Sequence, residues 1–354
     1  MRIKGKVGVV TLPGQFNYGN RLQNYAVVKT YEKIGFEAVS LELDDHKILR
    51  SIKRGVMAAL GKRLETNEDL MTEERLKAFN NFSKTCNPCV VENKSGAWRG
   101  NFTVFSTGSD QVWNPDIAGR KIGWYFLDFA KKSQRIALAP SIGISSLDDA
   151  QARTLAEGVK GFPRVSVREK RGAELIMECS GVDAEVICDP TLTLSAEEWR
   201  AVADGRCTPA EPYVFTYLLG GVGAEAAEVL DKLTDHGRVP VVPLSDRQKS
   251  GEPDAGPAEF IDLIDHATHV VTDSFHAAVF SSILHVPLTI VHREGGVSMF
   301  SRLEQLSQML GIEEKVFGAP GFDLARAGEY EGVDAAIGFE RDKFMTYLNG
   351  CLDD

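Results

Sequence analysis

The chain has 354 residues, enough for two domains, and its 43% hydrophobic and 25% charged residues are ordinary for a globular protein. A net charge of −10 argues against a general nucleic-acid binder, which needs surplus Lys and Arg to neutralise phosphates; a local basic pocket for a small anion stays compatible with it. The amino-terminal apolar run is too short for a signal peptide, and no stretch approaches the roughly 18 apolar residues of a membrane helix, so a cytoplasmic location is expected.

Residues 6–12 (KVGVVTL) read as a first parallel strand, 21–35 as a helix stopped by Gly35, and 36–43 as a second strand. This is a βαβ unit, and its loop PGQFNYGN sits at the edge of the sheet where open α/β folds take ligands. The loop and helix start carry Asn17, Tyr18, Asn20 and Gln23, amides and a phenol suited to hydroxyl recognition because they both donate and accept. Asn and Gly also serve tight turns for backbone reasons alone. The loop spells neither a dinucleotide nor a phosphate-loop glycine pattern.

The polar stretch 44–100 reads as a mostly helical insertion, with helical pieces at 48–64 and 73–84. It holds Cys86-Asn-Pro-Cys89, the one cysteine pair with metal or redox spacing; with no second pair or histidines near in sequence, these are expected to be structural thiols, and no metal is expected. Three Asn-X-Ser/Thr patterns, at Asn81, Asn93 and Asn101, mean nothing without a secretory signal.

Residues 102–106 return to strand and end in TGSDQVW. Ser109, Asp110, Gln111 and Trp113 there form a candidate site wall, with Asp110 as a base for a hydroxyl and Trp113 as a stacking surface for a sugar; capping and core packing are the alternatives. Strands are expected at 124–129, 135–139, 164–168 and 184–188, and helices at 147–159, 170–179 and 195–203. Arg168 closes the strand RVSVR, where a guanidinium can fork onto a carboxylate or phosphate. Asp189-Pro190-Thr191 reads as a turn, and a hinge is placed between about 180 and 210.

The second half repeats the theme: strand 213–219, a glycine turn at 220–223 that can admit a phosphate but is more often just a βα connection, helix 224–236, strand 239–244 and helix 258–266. Then comes THVVTDSFHAAVFSSILHVPLTIV at 268–291, read as strand, cap, core helix and strand. Ser274, Phe275 and His276 fall at the sheet's carboxyl edge and in the first turn of that helix, where N–H groups attract anions and a histidine can move a proton. A loop with Arg293, a helix at 301–310 opened by Arg302, and a closing helix at 339–352 complete the chain.

Six pieces, NYGNRLQNYA (17–26), GSDQVW (108–113), SVRE (166–169), DPT (189–191), the run 258–281 and SRL (301–303), together resemble the polysaccharide pyruvyl transferase family, in the family's order and over most of the chain. The resemblance implies an α/β fold of two Rossmann-like domains facing a cleft, glycosyltransferase-B-like, with boundaries near 1–190 and 205–335 and a carboxy-terminal helix at 336–354 that crosses back. It implies transfer of a pyruvyl group from phosphoenolpyruvate to two sugar hydroxyls as a cyclic ketal, without a cofactor. Donor binding then falls to Arg168, Ser274, Phe275, His276, Arg302 and Arg293, with His276 as the acid and Asp110 as the base. Some members carry an arginine where this chain has Ser274, so the donor site either holds one cation fewer or draws on Arg302 or Arg293 instead. The acceptor is expected to be a nucleotide- or lipid-linked sugar in surface-polysaccharide or cell-wall glycan assembly, the latter linkage bringing the protein to a membrane surface. A nucleotide-sugar glycosyltransferase and a non-catalytic glycan binder are the competing readings, since one fold hosts many activities.

Overall fold

A computed structural model describes residues 3–12, 16–44, 71–92, 96–293 and 300–353; the helical piece expected at 48–64 lies outside them. The strands are β1 (Lys6–Val10), β2 (Glu37–Leu43), β3 (Pro88–Val91), β4 (Val104–Thr107), β5 (Arg135–Ala137), β6 (Ser166–Val167), β7 (Glu185–Val186), β8 (Val214–Tyr217), β9 (Val241–Leu244), β10 (His269–Thr272) and β11 (Leu288–Ile290). The main helices are α1 (Tyr18–Lys33), α2 (Glu73–Lys84), α3 (Asp149–Val159), α4 (Lys170–Ser180), α5 (Ala224–Leu233), α6 (Pro257–Asp265), α7 (Phe275–Leu284), α8 (Ser301–Leu310) and α9 (Val333–Asp353).

The strands build two parallel sheets, ordered β3-β2-β1-β4-β5 and β11-β10-β8-β9, with β6 and β7 as a small parallel pair. This is an α/β fold of two Rossmann-like units. In the first sheet the order reverses between β1 and β4, and in the second between β8 and β10. Such switch points leave a crevice at the carboxyl ends of the strands, because the connections on either side run to opposite faces.

Local sequence explains the central elements. β10 is buried at every residue, flanked by β8 and β11, which is why it reads as an unbroken apolar run with no alternation. α7 is apolar all round and buried from His276 to Leu284, a helix that a large core must enclose. The apolar core is continuous across the two sheets: Tyr18 of α1 stacks on Phe260 of α6 with ring centroids 4.8 Å apart. Arg75 of α2, with its side chain 1% exposed, donates to the Ser245 and Pro253 carbonyls and pairs with Glu252 at 3.2 Å, across about half the chain.

Two expectations need correction. The stretch 44–100 is not wholly helical, since Pro88–Val91 forms the edge strand β3 and α2 is the crossover leading into it. Proline hides the strand in sequence, yet it is tolerated at the first residue of an edge strand. The expected strand 124–129 is instead a helical turn, Ile122–Tyr125, followed by Leu127 in a left-handed conformation. A strand would put residues 124 and 129 on opposite faces. The turn brings the Trp124 and Phe129 rings within 4.7 Å of each other, both packed on Trp98.

Candidate active site

Both switch points open onto one cavity of about 350 Å³. From the first sheet come Asn17, Gly19, Asn20, Asp110 and Gln111; from the second come Tyr217, Asp273, Ser274, Phe275 and His276, with Arg293 and Arg302 closing the wall.

Each side is fixed by its own backbone. Asn17 caps α1, its side chain accepting from the Asn20 N–H at 3.0 Å. Asp110 has φ of 64°, a left-handed conformation that Asp tolerates better than most residues. Its carboxylate accepts from the Gln111 N–H, and its carbonyl accepts from the Ser141 N–H at 2.8 Å. Ser274 stands at the N-cap of α7 but makes no side-chain capping bond. The start of α7, with the partial positive charge of its first N–H groups, therefore faces the cavity without a capping side chain.

The charged centre is buried. Arg168 donates to Asp189 at 2.6 Å and to Glu169 at 3.1 Å, lies 3.7 Å from Asp110, and sits over the Phe275 ring at 4.9 Å. Burial alone would lower the Arg168 guanidinium, but Glu169, Asp189 and Asp110 outweigh it and hold it above its ordinary value. Burial would likewise raise Asp189; His276, Arg168 and Thr191 overcome it and keep the carboxyl well below the usual carboxylate range. The His276 Nε2 lies 3.7 Å from Asp189, too far for a hydrogen bond. Among the described residues, that nitrogen, Arg168 Nη2 and Glu169 Oε2 are buried without hydrogen-bond partners. The other face of the imidazole rests on Gly19, where an added Cβ would lie 2.0 Å from Nδ1. Glycine in the NYGN motif thus lets α1 approach the histidine of α7.

The expected residues divide into three groups. Asn17, Asn20, Asp110, Gln111, Ser274, Phe275, His276, Arg293 and Arg302 line the cavity together. Arg168 borders a niche of about 10 Å³ beside it, with Glu169, Asp189, Arg302 and Gln305. Tyr18, Gln23, Ser109 and Trp113 are not among the lining residues. Tyr18 is buried and donates to the Ala255 carbonyl at 2.9 Å. Gln23 ties the two strand ends together, donating to Thr11 at 2.7 Å and accepting from the Ser109 N–H at 2.9 Å. Ser109 donates to the Ala139 carbonyl. Trp113 packs between Phe126 and Phe162 and donates to the Tyr125 carbonyl. Large amphipathic side chains near a site are as readily drawn into the core beneath it.

Of its two readings, the glycine turn takes that of a connection. The Leu219 and Gly220 N–H groups donate to Asp273 at 2.7 and 2.8 Å, and Arg293 donates to the same carboxylate at 3.1 Å. A carboxylate of the protein itself fills the place read as a phosphate cradle. Asp189, Asp273 and Tyr217 were not singled out as site residues by sequence. Tyr217 hydrogen-bonds Asp246, and burial together with that neighbour holds its hydroxyl well above its ordinary value. Asp189 lies in the DPT motif, which reads as a turn because its carboxylate also caps the following turn through the Thr191 N–H. Among the described residues no group of three or more His, Cys, Asp or Glu is placed to hold a metal, all six cysteines are free, and no helix is long and apolar enough to cross a membrane.

The polysaccharide pyruvyl transferase family profile matches residues 17–292, and the chain belongs to that family. No curated protein sequence matches it. Solved structures with similar folds include S. aureus MnaA in a co-structure with UDP (TM-score 0.48, 10% identity, 99% of this chain and 97% of that one). They also include UDP-GlcNAc 2-epimerase from Neisseria meningitidis bound to UDP-GlcNAc (0.44, 9%, 98% and 100%) and the glycosyltransferase SnogD from Streptomyces nogalater (0.41, 10%, 100% and 98%).

Proposed function

We propose that the protein is a pyruvyl transferase that moves the pyruvyl group of phosphoenolpyruvate onto two hydroxyls of a sugar, forming a cyclic ketal and releasing phosphate. The observation that carries this reading is the meeting of both switch points in one cavity, where an α7 start without a side-chain cap lies beside Arg302 and His276. A donor with a phosphate and a carboxylate needs fixed positive groups, and helix starts and guanidiniums supply them without a metal.

In this mechanism His276 protonates the methylene carbon, giving a cation-like centre at the neighbouring carbon. Asp110 takes the proton of the first sugar hydroxyl as its oxygen attacks that centre. The second hydroxyl then displaces the phosphate, which leaves with that hydroxyl's proton. One hydroxyl proton thus replaces the one used on the methylene, and the other leaves on phosphate. Asp189 stabilises the imidazolium by charge, and Asn17, Asn20 and Gln111 offer amides to the sugar. The acceptor is a nucleotide- or lipid-linked sugar of surface-polysaccharide or cell-wall glycan assembly.

Thermal unfolding with phosphoenolpyruvate tests the donor assignment. At a hundred times its dissociation constant the donor stabilises by about 2.7 kcal/mol, and Arg302→Ala and His276→Gln should lose that shift. Arg302 is a better probe than Arg168, whose removal strands three carboxylates. A shift with a nucleotide sugar and none with phosphoenolpyruvate would replace this reading with a glycosyltransferase.

A further inference from the structure

Arg168 and Arg302 reach the same niche from distant parts of the chain, and both carry fixed positive charge. Burial and the neighbouring Arg168 push the Arg302 guanidinium below its ordinary value, as expected of like charges held close. The carboxylates Glu169, Asp189 and Asp110 are gathered around Arg168.

The backbone on both sides of Glu169, directly after Arg168, is held by a single side chain. The Gln305 carbonyl oxygen accepts from the Lys170 N–H at 2.9 Å, and its amide nitrogen donates to the Arg168 carbonyl at 2.9 Å. Only an amide sets a fixed donor and a fixed acceptor side by side, which these two backbone groups require. Gln305 follows Arg302 by three residues on α8, so the two share a helix face. Whatever fixes Gln305 to the Arg168 segment therefore also sets how α8, and Arg302 on it, sits against that segment.

We infer that Gln305 is a positioning residue, a latch that holds α8 against the Arg168–Lys170 segment and keeps both arginines converged on the donor's anionic groups before the donor arrives. This rests on the donor reading above. Preorganised charge costs nothing to assemble at the moment of binding. Without the latch, α8 can shift away from the Arg168–Lys170 segment and the donor must draw the two elements together, so affinity falls while bond-making is spared.

The test measures phosphoenolpyruvate binding by calorimetry, its KM and kcat, and Tm for wild type, Gln305→Ala, Gln305→Glu, Arg302→Ala and the Arg302→Ala/Gln305→Ala double variant. Gln305→Ala should weaken donor binding and raise KM about tenfold, with kcat within about twofold of wild type and Tm nearly unchanged. Gln305→Glu keeps the acceptor for Lys170 but turns an oxygen on the Arg168 carbonyl, so it should lose at least as much; it carries the comparison if the alanine variant does not fold. Because the latch acts through Arg302, the double variant should bind the donor within about twofold of Arg302→Ala alone. Additive losses, an unchanged KM, or a fall in kcat that merely tracks a fall in Tm would overturn the latch. Wild type that binds no phosphoenolpyruvate overturns the proposed function and the latch with it; wild-type binding beside a silent Gln305→Ala overturns the latch alone.

Discussion

The ends of β8 and β10 lie side by side in the second sheet, and both border the same cavity, one through Tyr217 and Leu219 and the other through Asp273 and Ser274. The β8 end has the glycines, Gly220, Gly221 and Gly223, and the look of an anion cradle. Its Leu219 and Gly220 N–H groups are nevertheless occupied by Asp273. The β10 end has no glycine, yet it opens into α7 with no side chain capping the helix. Glycine gives a backbone the freedom to turn, but whether that backbone can take a ligand depends on which N–H groups the protein has already paired.

Substitutions at and around the two ends can break or sharpen this contrast. Asp189→Ala has the largest expected effect, because it removes a partner from the buried Arg168 and the counter-charge facing His276. Stability should fall by about 3–5 kcal/mol in denaturant unfolding. The Asp189 carboxyl is depressed in the folded state, so its contribution is complete above about pH 4 and fades as pH falls below that. Wild type should lose this component in acid and the variant should lack it; parallel pH profiles would refute the assignment.

Gly19→Ala comes next, since the new methyl group would press on the His276 ring. Displacing the imidazole by an ångström should lower turnover roughly hundredfold, while overpacking costs about 1–3 kcal/mol. Turnover equal to wild type would separate His276 from the chemistry at the β10 end. Asp273→Ala should then convert the closed end into an open one. Unpairing Leu219 and Gly220 should cost about 1–3 kcal/mol, and inorganic phosphate should return part of it by occupying the vacated N–H groups. Destabilisation that phosphate does not relieve would mean the turn is unfit for anions even when emptied. The smallest effect belongs to Ser274→Ala. A working N-cap serine is worth about 1 kcal/mol; here the loss should be at most about 0.5 kcal/mol, and a larger one would show that the α7 start is capped after all.

The sequence reveals most where one element satisfies one pattern. β10, α2, α7 and α8 run as their periodicity predicts, because a strand buried on both faces and helices with caps or apolar cores leave little choice. Asp110, His276 and Arg302 were legible at the crevice because strand ends and helix starts place them there. Asp189 was not, since a carboxylate before proline has a sufficient local explanation as a turn, and its pairing with Arg168 spans 21 residues. Tyr18 and Trp113 were misplaced for the opposite reason. They stand in motifs that border the cavity, and only packing decides whether an aromatic ring turns outward to a sugar or inward to Phe260 or Phe162.

The helix Val333–Asp353 reaches back to the first sheet. Its Tyr347 donates to the Ala137 carbonyl at 2.9 Å, Arg341 donates to the Leu192 and Leu194 carbonyls, and the Glu340 carbonyl accepts from Cys188. During synthesis the first sheet therefore emerges from the ribosome well before the segment that covers its β5 edge. Until residue 347 follows, the Ala137 carbonyl has the Ser166 hydroxyl but not that of Tyr347, and the apolar surface that Phe344 and Leu348 bury remains open to water or to other chains. The nascent first half is thus the stage most exposed to misassembly, and a chain interrupted before residue 333 would carry that exposure permanently.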